Sequence, residues 1–135
     1  MAVFQFDIVT PEKGLYSGAV ESLKVPGSEG EMGVLARHMP LLSALCTGRI
    51  HFSEEGGVIR HVATSGGFVE VEHNHVTVLA ETAEFAEEID TVRAQAAQKR
   101  AEERLARIRE EKLDEARAQA ALDRALNRLR IGGGL

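Results

Sequence analysis

Apolar and polar residues alternate along the first half of the chain, and beyond Ala86 that alternation gives way to a spacing of three and four. In FQFDIV the period is two, so Phe4, Phe6 and Ile8 fall on one face of a strand and Gln5 and Asp7 on the other. RIHFSEEGGVIRHVA predicts a hairpin turning at Gly56-Gly57, and FVEVEHNHVTVLAE predicts another around His73-Asn74-His75. Short runs rich in Val, Ile and Phe, separated by turn residues at intervals of roughly 8–12 positions, are the pattern of an all-β sandwich or barrel. All three prolines (Pro11, Pro26 and Pro40) lie in the first 40 residues, and from Phe68 to Ile131 there is neither glycine nor proline.

Past Ala86 the spacing predicts helices. Ala94, Ala97, Ala101, Leu105 and Ile108 make one stripe, and Ala118, Leu122, Ala125 and Leu129 make a second. Stripes built mostly of alanine let helix axes approach closely, as an antiparallel pair or against a partner's helix. The joint REEKLDEA holds no breaker. Either Asp114 caps a second helix, or the pattern runs unbroken for ~40 residues, a rod of ~60 Å at ~1.5 Å per residue. A folded hairpin and a single rod both fit.

A chain of 135 residues and 14.7 kDa allows one domain of ordinary size, or a small domain with an appendage. The 44% hydrophobic fraction is that of a globular protein, but 4% aromatics and no tryptophan make a modest core, which suits a chain that leans on a partner. The single cysteine, Cys46, cannot form an internal disulfide, and its surroundings in SALCTG suggest a small buried side chain in a reducing compartment. MAVFQFDIVTPEK lacks the basic start and apolar run of a signal peptide. No apolar run approaches the ~20 residues that span a bilayer, so a membrane role is expected to be indirect.

Charge divides where the periodicity changes. Residues 1–86 carry five basic residues against eleven acidic ones, a net of −6, while 87–135 carry eleven against ten, a net of +1; together they make the chain's −5. Arg117, Arg124, Arg128 and Arg130 crowd the second helix. They read either as a solvated face with i,i+4 pairs or as a cationic surface for phosphates or an acidic protein. An acidic body with few aromatics argues against nucleic acid.

Little in the chain suggests catalysis. There is no glycine-rich phosphate loop of the G-x-x-x-x-G-K type and no serine in a nucleophile elbow. His51, His61, His73 and His75, with Glu70 and Glu72 nearby, are the residues that point toward a metal, and they read instead as polar turn and strand positions, so no metal site is expected. The segment PGSEGEMGVLARHMPLL alternates glycines with acids and then offers Met32, Val34 and Leu35 before a His-x-Pro turn. It is either an apolar loop that docks on another protein or a turn folded back onto its own sheet.

EEIDTVRAQ opens the helical half. Asp90 is placed to cap the first helix, and Arg93 one turn later sits at the end of the helix where the dipole disfavours a cation. D-x-x-R-A recurs from Asp114 to Ala118. If the helices fold back, Arg93 comes to the Arg124–Arg128 end of its neighbour, and like charges gathered there call for a polyanion such as a nucleotide.

With these residues in view, the chain resembles the epsilon subunit of the bacterial F-type ATP synthase, of the Bacillus-like, ATP-binding type. The resemblance runs through FQFDIVTPEKGLYSG, VPGSEGEMGVLARHMPLLSAL, SGGFVEV and the IDTVRA that opens two Ala/Arg helices. It implies an N-terminal β-sandwich over residues 1–86, docking on the gamma subunit and the c-ring, and a C-terminal antiparallel two-helix hairpin over 87–135, regulatory and ATP-binding. Glu31, Met32, Gly33, Val34, Leu35 and His38 would belong to the edge that meets the c-ring and gamma. Such a subunit is noncatalytic, sits in the central stalk, and opposes ATP hydrolysis when its helices extend toward the alpha and beta subunits of the catalytic head.

ATP would be a regulatory ligand favouring the folded hairpin. The I/L-D-x-x-R-A motif of ATP-binding members is matched by Ile89, Asp90, Arg93 and Ala94, with Glu84 upstream and Arg100, Arg117, Arg124 and Arg128 from the helices, the last three aligned after a one-residue insertion near the joint. The resemblance implies a peripheral place on the cytoplasmic face of the bacterial cell membrane, held through the complex. The competing reading of the same residues is a stand-alone nucleotide-sensing module.

Overall fold

The computed structural model describes residues 2–111 and 115–133. The chain divides into two compact units, residues 1–86 and 87–135. The first contains strands β1 (Phe4–Val9), β2 (Gly14–Gly27), β3 (Gly30–Leu35), β4 (Leu41–Leu45), β5 (Gly48–Glu54), β6 (Ile59–Thr64), β7 (Gly67–Glu72), β8 (His75–Ala80) and β9 (Ala83–Phe85). A 3-10 turn at Ala86–Glu88 leads to α1 (Thr91–Glu111) and α2 (Glu115–Ile131).

The first unit is a β-sandwich with strand order β1-β8-β7-β4-β2-β5-β6-β9, and β3 lies on β2. Its two layers share β2, whose 14 residues are too many for one partner. The strand pairs with β1 along Gly14–Val20 and with β3 along Ser22–Gly27. Its register against β5 slips between Val20 and Ser22. One extra residue bends a strand, and here the bend carries β2 from one layer into the other.

The core follows the alternation of the sequence. Phe6, Ile8, Val20, Val25, Ile50, Val62, Val69 and Val78 are fully buried, and Phe6 meets Phe52 edge-on at 5.1 Å between ring centroids. At one end of this core the Tyr16 hydroxyl donates to Glu54 (3.1 Å), Arg60 reaches the same carboxylate (3.4 Å), and the Arg60 guanidinium lies 4.1 Å from the centre of the Phe85 ring. Burial, and then the bond to Glu54, push the Tyr16 hydroxyl up to about 12.

Both predicted hairpins form. Gly56 and Gly57 take positive φ in the β5–β6 turn, and His73 and Asn74, at φ 49° and 57°, make a two-residue β7–β8 turn of the kind whose twist matches the strands it joins. Gly67, at φ 145°, admits no side chain, because a Cβ there would stand 2.0 Å from the carbonyl oxygen of Leu79.

Of the two readings of PGSEGEMGVLARHMPLL, the segment folded back onto its own sheet is the one that forms: Met32, Val34 and Leu35 belong to strand β3, and Val34, opposite Leu23 on β2, is buried to 1% exposure. One expectation fails in this unit. Leu45 fills the last inward position of β4, so the alternation sends Cys46 outward, and the cysteine expected to be buried is exposed.

The second unit is an antiparallel helical hairpin. Leu105 packs with Ala118 and Leu122, and a Cβ built on Gly132 would lie 3.0 Å from Ile89 Cγ2 and 3.2 Å from Thr91 Cγ2, so the end of α2 lies beside the start of α1. Ala94 and Ala118 are fully buried, and Ala101, Leu105, Ala125 and Leu129 are nearly so, which makes both predicted stripes the seam. Alanine serves twice here: it has the best helix propensity and it leaves room for close approach of the axes. The side chain of Ile108 and residue Asp114, predicted as a stripe member and a second cap, lie outside the described residues.

Candidate functional site

The start of α1 forms as a capped helix. The Asp90 carboxylate accepts the Arg93 backbone N–H at 3.0 Å, and the Asp90 carbonyl accepts that of Ala94 at 3.0 Å. A carboxylate at this position satisfies one of the orphan amides of the first turn and faces the positive end of the helix dipole. Ile89 and Ala94 are buried, while the side chains of Asp90 and Arg93 are exposed. The motif thus splits into two residues that build the hairpin and two that face solvent.

At the other terminus, α2 closes with Gly132 N–H donating to the Arg128 carbonyl at 2.8 Å, followed by Gly133 at φ 87°, the left-handed stop that glycine supplies without strain. The antiparallel arrangement brings this end, with Arg128 half-buried and Arg124 exposed one turn earlier, beside the α1 start that carries Arg93. Arg100 is exposed two turns further along α1. Arg117 stands apart: it opens α2 next to Ala118, at the Leu105 level, eleven residues from Arg128 and therefore ~16 Å along the axis. Glu84 lies in β9 opposite Ala63 of β6 and is half-buried. Parts of the exposed helix faces are occupied by ordinary i,i+4 bonds, Gln98 to Glu102 at 3.0 Å and Gln119 to Asp123 at 3.1 Å.

The sandwich presents a different kind of surface. Ala44 of β4 lies opposite Phe68 of β7, Phe68 opposite Leu79 of β8, and Leu79 opposite Val9 of β1. All four face outward, with Phe68 53% and Leu79 49% exposed, so an apolar row crosses four strands on the solvent side of the sheet. Leu42, two residues before Ala44, extends the row, and Met39 and Leu35 stand at 77% and 63% exposure around the β3–β4 connection. A contiguous exposed apolar surface of this kind is the mark of a protein contact.

Sequence reading missed the row. Its signal was present in the chain: in GFVEVE and HVTVLA the apolar residues Phe68 and Leu79 are out of phase with the buried Val69, Val71, Val76 and Val78.

Of the edge residues, Glu31, Gly33 and Leu35 are exposed, Met32 and His38 half-buried, and Val34 buried. Glu31 accepts a hydrogen bond from the His51 ring, and this bond holds its carboxyl below the ordinary value. His51 in turn stacks on His61 across the β5–β6 pair, ring centroids 5.8 Å apart. His75 bonds Asp7 across β1 and β8, and His73 lies 3.4 Å from Glu72 in the turn. His51, His73 and His75 thus each have a different acid partner, and no group of three or more His, Cys, Asp or Glu side chains is gathered for a metal among the described residues.

Comparison with known proteins agrees with this architecture unit by unit. Residues 3–86 match the family model of the ATP synthase delta/epsilon chain β-sandwich domain, and residues 87–133 match that of the delta/epsilon chain long alpha-helix domain. The ATP synthase epsilon chain of Nitratidesulfovibrio vulgaris (strain DP4) is 55% identical over 105 residues, 78% of each chain. That of Halalkalibacterium halodurans is 43% identical over 133 residues, 98% of this chain and 99% of its own. Among solved structures, a chain of the Euglena gracilis mitochondrial ATP synthase (OSCP/F1/c-ring, rotational state 1) superposes with a TM-score of 0.76 at 25% identity, covering 91% of this chain and 77% of that one. A chain of the Tetrahymena thermophila mitochondrial ATP synthase central stalk and c-ring shares the fold, with a TM-score of 0.53 at 18% identity over 63% of this chain and 68% of that one. With both of its units matched and epsilon chains related to it along nearly its whole length, the chain belongs to the ATP synthase delta/epsilon family, as an epsilon chain of the F-type complex.

Proposed function

We propose that the chain is a noncatalytic rotor subunit of the central stalk, joining the gamma subunit to the c-ring, and that its helical hairpin restrains ATP hydrolysis when it opens toward the alpha and beta subunits. The observation that carries this reading is the pairing, in one chain of this family, of a sandwich bearing an outward apolar row with a hairpin closed by alanines. The row Ala44–Phe68–Leu79–Val9 is suited to gamma, and the edge from Glu31 to His38 to the c-ring. No described helix is long and apolar enough to cross a membrane, and the chain is held at the cytoplasmic face of the bacterial membrane through these partners.

ATP acts in this reading as a regulatory ligand of the folded hairpin. The residues present suit a polyphosphate: Arg93 and Arg124 are exposed and Arg128 half-buried at the end where α1 starts and α2 stops, and Arg100 lies two turns along. Ile89 and Ala94 hold the two helix ends in register, Asp90 fixes the first turn, and the arginines neutralise the phosphates. Arg117 takes part through the second function of the helix, contact with acidic residues of the head when the hairpin is open. A ligand that binds only the folded hairpin stabilises it by about 2.7 kcal/mol at a concentration 100 times its Kd. A shift of that size reverses which of two nearby states dominates.

The test is reconstitution. Adding the chain to an ATP synthase complex lacking it should give stable association with gamma and the c-ring and lower ATP hydrolysis, with the inhibition relieved at millimolar ATP. A chain that binds ATP but never associates with gamma would instead be a stand-alone nucleotide sensor.

A further inference from the structure

The β3–β4 connection is shaped from a distance by one side chain. Asn74 occupies the second position of the β7–β8 turn, and its amide takes no part in that turn. Its Oδ1 accepts the backbone N–H of Arg37 at 2.7 Å, its Nδ2 donates to the Val3 carbonyl at 3.1 Å, and its own carbonyl accepts the Gln5 N–H at 3.2 Å. Three segments remote in sequence are tied together by a single residue: the start of β1, the β7–β8 turn and the segment after β3.

Arg37 is where this matters. It is held at φ 63°, a left-handed conformation that a residue with a long side chain seldom adopts and that persists only where neighbours impose it. The Asn74 bond falls on the Arg37 amide itself. The following His38 N–H donates to the Leu35 carbonyl at 3.2 Å, closing a turn from Leu35 to His38 with Arg37 at its third position, and the His38 ring bonds the Met39 carbonyl at 2.7 Å, so the turn runs on into the segment with Met39 exposed. Asparagine suits the task because its planar amide offers an acceptor and a donor at once, and because it tolerates positive φ.

We infer that Asn74 is a positioning residue for docking: by clamping Arg37 it fixes Leu35 and Met39 as a preformed apolar tip that the c-ring receives. The inference rests on the docking reading given above. Its physical basis is preorganisation, since a tip already held in the bound shape does not lose conformational freedom on association.

Three full-length chains separate the clamp from the turn: wild type, Asn74→Gly and Asn74→Asp. Glycine keeps the positive φ of the turn and removes both side-chain bonds, whereas aspartate keeps an acceptor for the Arg37 amide. Each is titrated against the gamma and c-ring complex, and amide exchange at Arg37 is followed in the free chain. Asn74→Gly should bind about tenfold more weakly, on the order of one lost hydrogen bond, with rapid exchange at Arg37; Asn74→Asp should recover most of both. Wild-type affinity in Asn74→Gly, or equal losses in the two variants, would overturn the clamp and leave the docking reading standing. Failure of the wild-type chain to bind at all overturns the docking reading, and the clamp with it.

Discussion

The Asp90 carboxylate and the Arg93 backbone N–H are joined by a 3.0 Å hydrogen bond that closes the first turn of α1. The most recognisable motif of the helical half is therefore part of its folding as well as a candidate ligand site. Any substitution of Asp90 perturbs both, and the two roles have to be separated by choosing side chains that cap without charge.

Asp90→Ala should destabilise the hairpin by about 1 kcal/mol, the usual worth of an N-cap, while Asp90→Ser should recover most of it. Helix melting followed by circular dichroism checks this. An Ala variant as stable as wild type would mean that the cap seen here contributes nothing to the hairpin.

Ala118 is fully buried where α2 passes Leu105. Ala118→Leu should destabilise the folded hairpin by about 1–3 kcal/mol through overpacking, yet leave helix propensity nearly unchanged. The expected outcome is loss of cooperative melting of the hairpin with helical content retained, together with stronger inhibition in the reconstituted complex, because the folded alternative is weakened and the open one is not.

Phe68 is half exposed and pairs with Leu79 across β7 and β8. Phe68→Glu should leave the melting temperature of the sandwich nearly unchanged and weaken association with gamma by at least about tenfold, since a charge would be desolvated at the centre of an apolar contact. Pull-down of gamma by the variant at wild-type strength would remove the row from the interface.

Acid should loosen the sandwich through two carboxyls. Burial pushes Asp7 up, but hydrogen bonds from Ser17, His75 and Gln5 outweigh it and hold the carboxyl below its ordinary 3.8. The His51 bond holds Glu31 below its ordinary 4.5. A carboxyl with a depressed value in the folded state binds its proton more tightly when unfolded. Its contribution is therefore complete above the ordinary value and is lost as pH falls through the lower folded one. Denaturant midpoints measured from about pH 6 to about pH 3 should fall for wild type and fall less steeply for Asp7→Asn, which starts lower because it lacks the ionised acceptor. Parallel curves for the two proteins would show that Asp7 does not couple to folding.

Much of the fold was legible because local pattern and burial agree. FQFDIV reads as a strand with Phe4, Phe6 and Ile8 on one face, which is the buried one, and the alanine stripes mark the apolar face of each helix, though not what covers it. The β3 strand was hidden by its glycines, since GEMGVL reads as loop until β2 supplies the ladder that makes it a strand. The choice between hairpin and rod was not legible either, because nothing in REEKLDEA breaks a helix and the decision lies in packing between segments. The apolar row required the register of four strands, a long-range property. Phe68 and Leu79 meet within one hairpin, but Val9 and Ala44 join them only through the pairings of β8 with β1 and of β7 with β4.

The central claim is that the start of α1 and the end of α2 together hold a nucleotide that keeps the hairpin folded. Calorimetric titration of ATP into the full chain, beside Asp90→Ser and Arg93→Ala and with melting followed in parallel, tests it most directly. The account predicts saturable one-to-one binding by the wild-type chain that raises the melting temperature of the hairpin. Binding should be abolished in Arg93→Ala with the sandwich still folded, and weakened in Asp90→Ser even though the cap is retained. No heat of binding and an unchanged melting temperature for the wild-type chain would contradict it, leaving Asp90 a helix cap and the arginines a surface for protein contact alone.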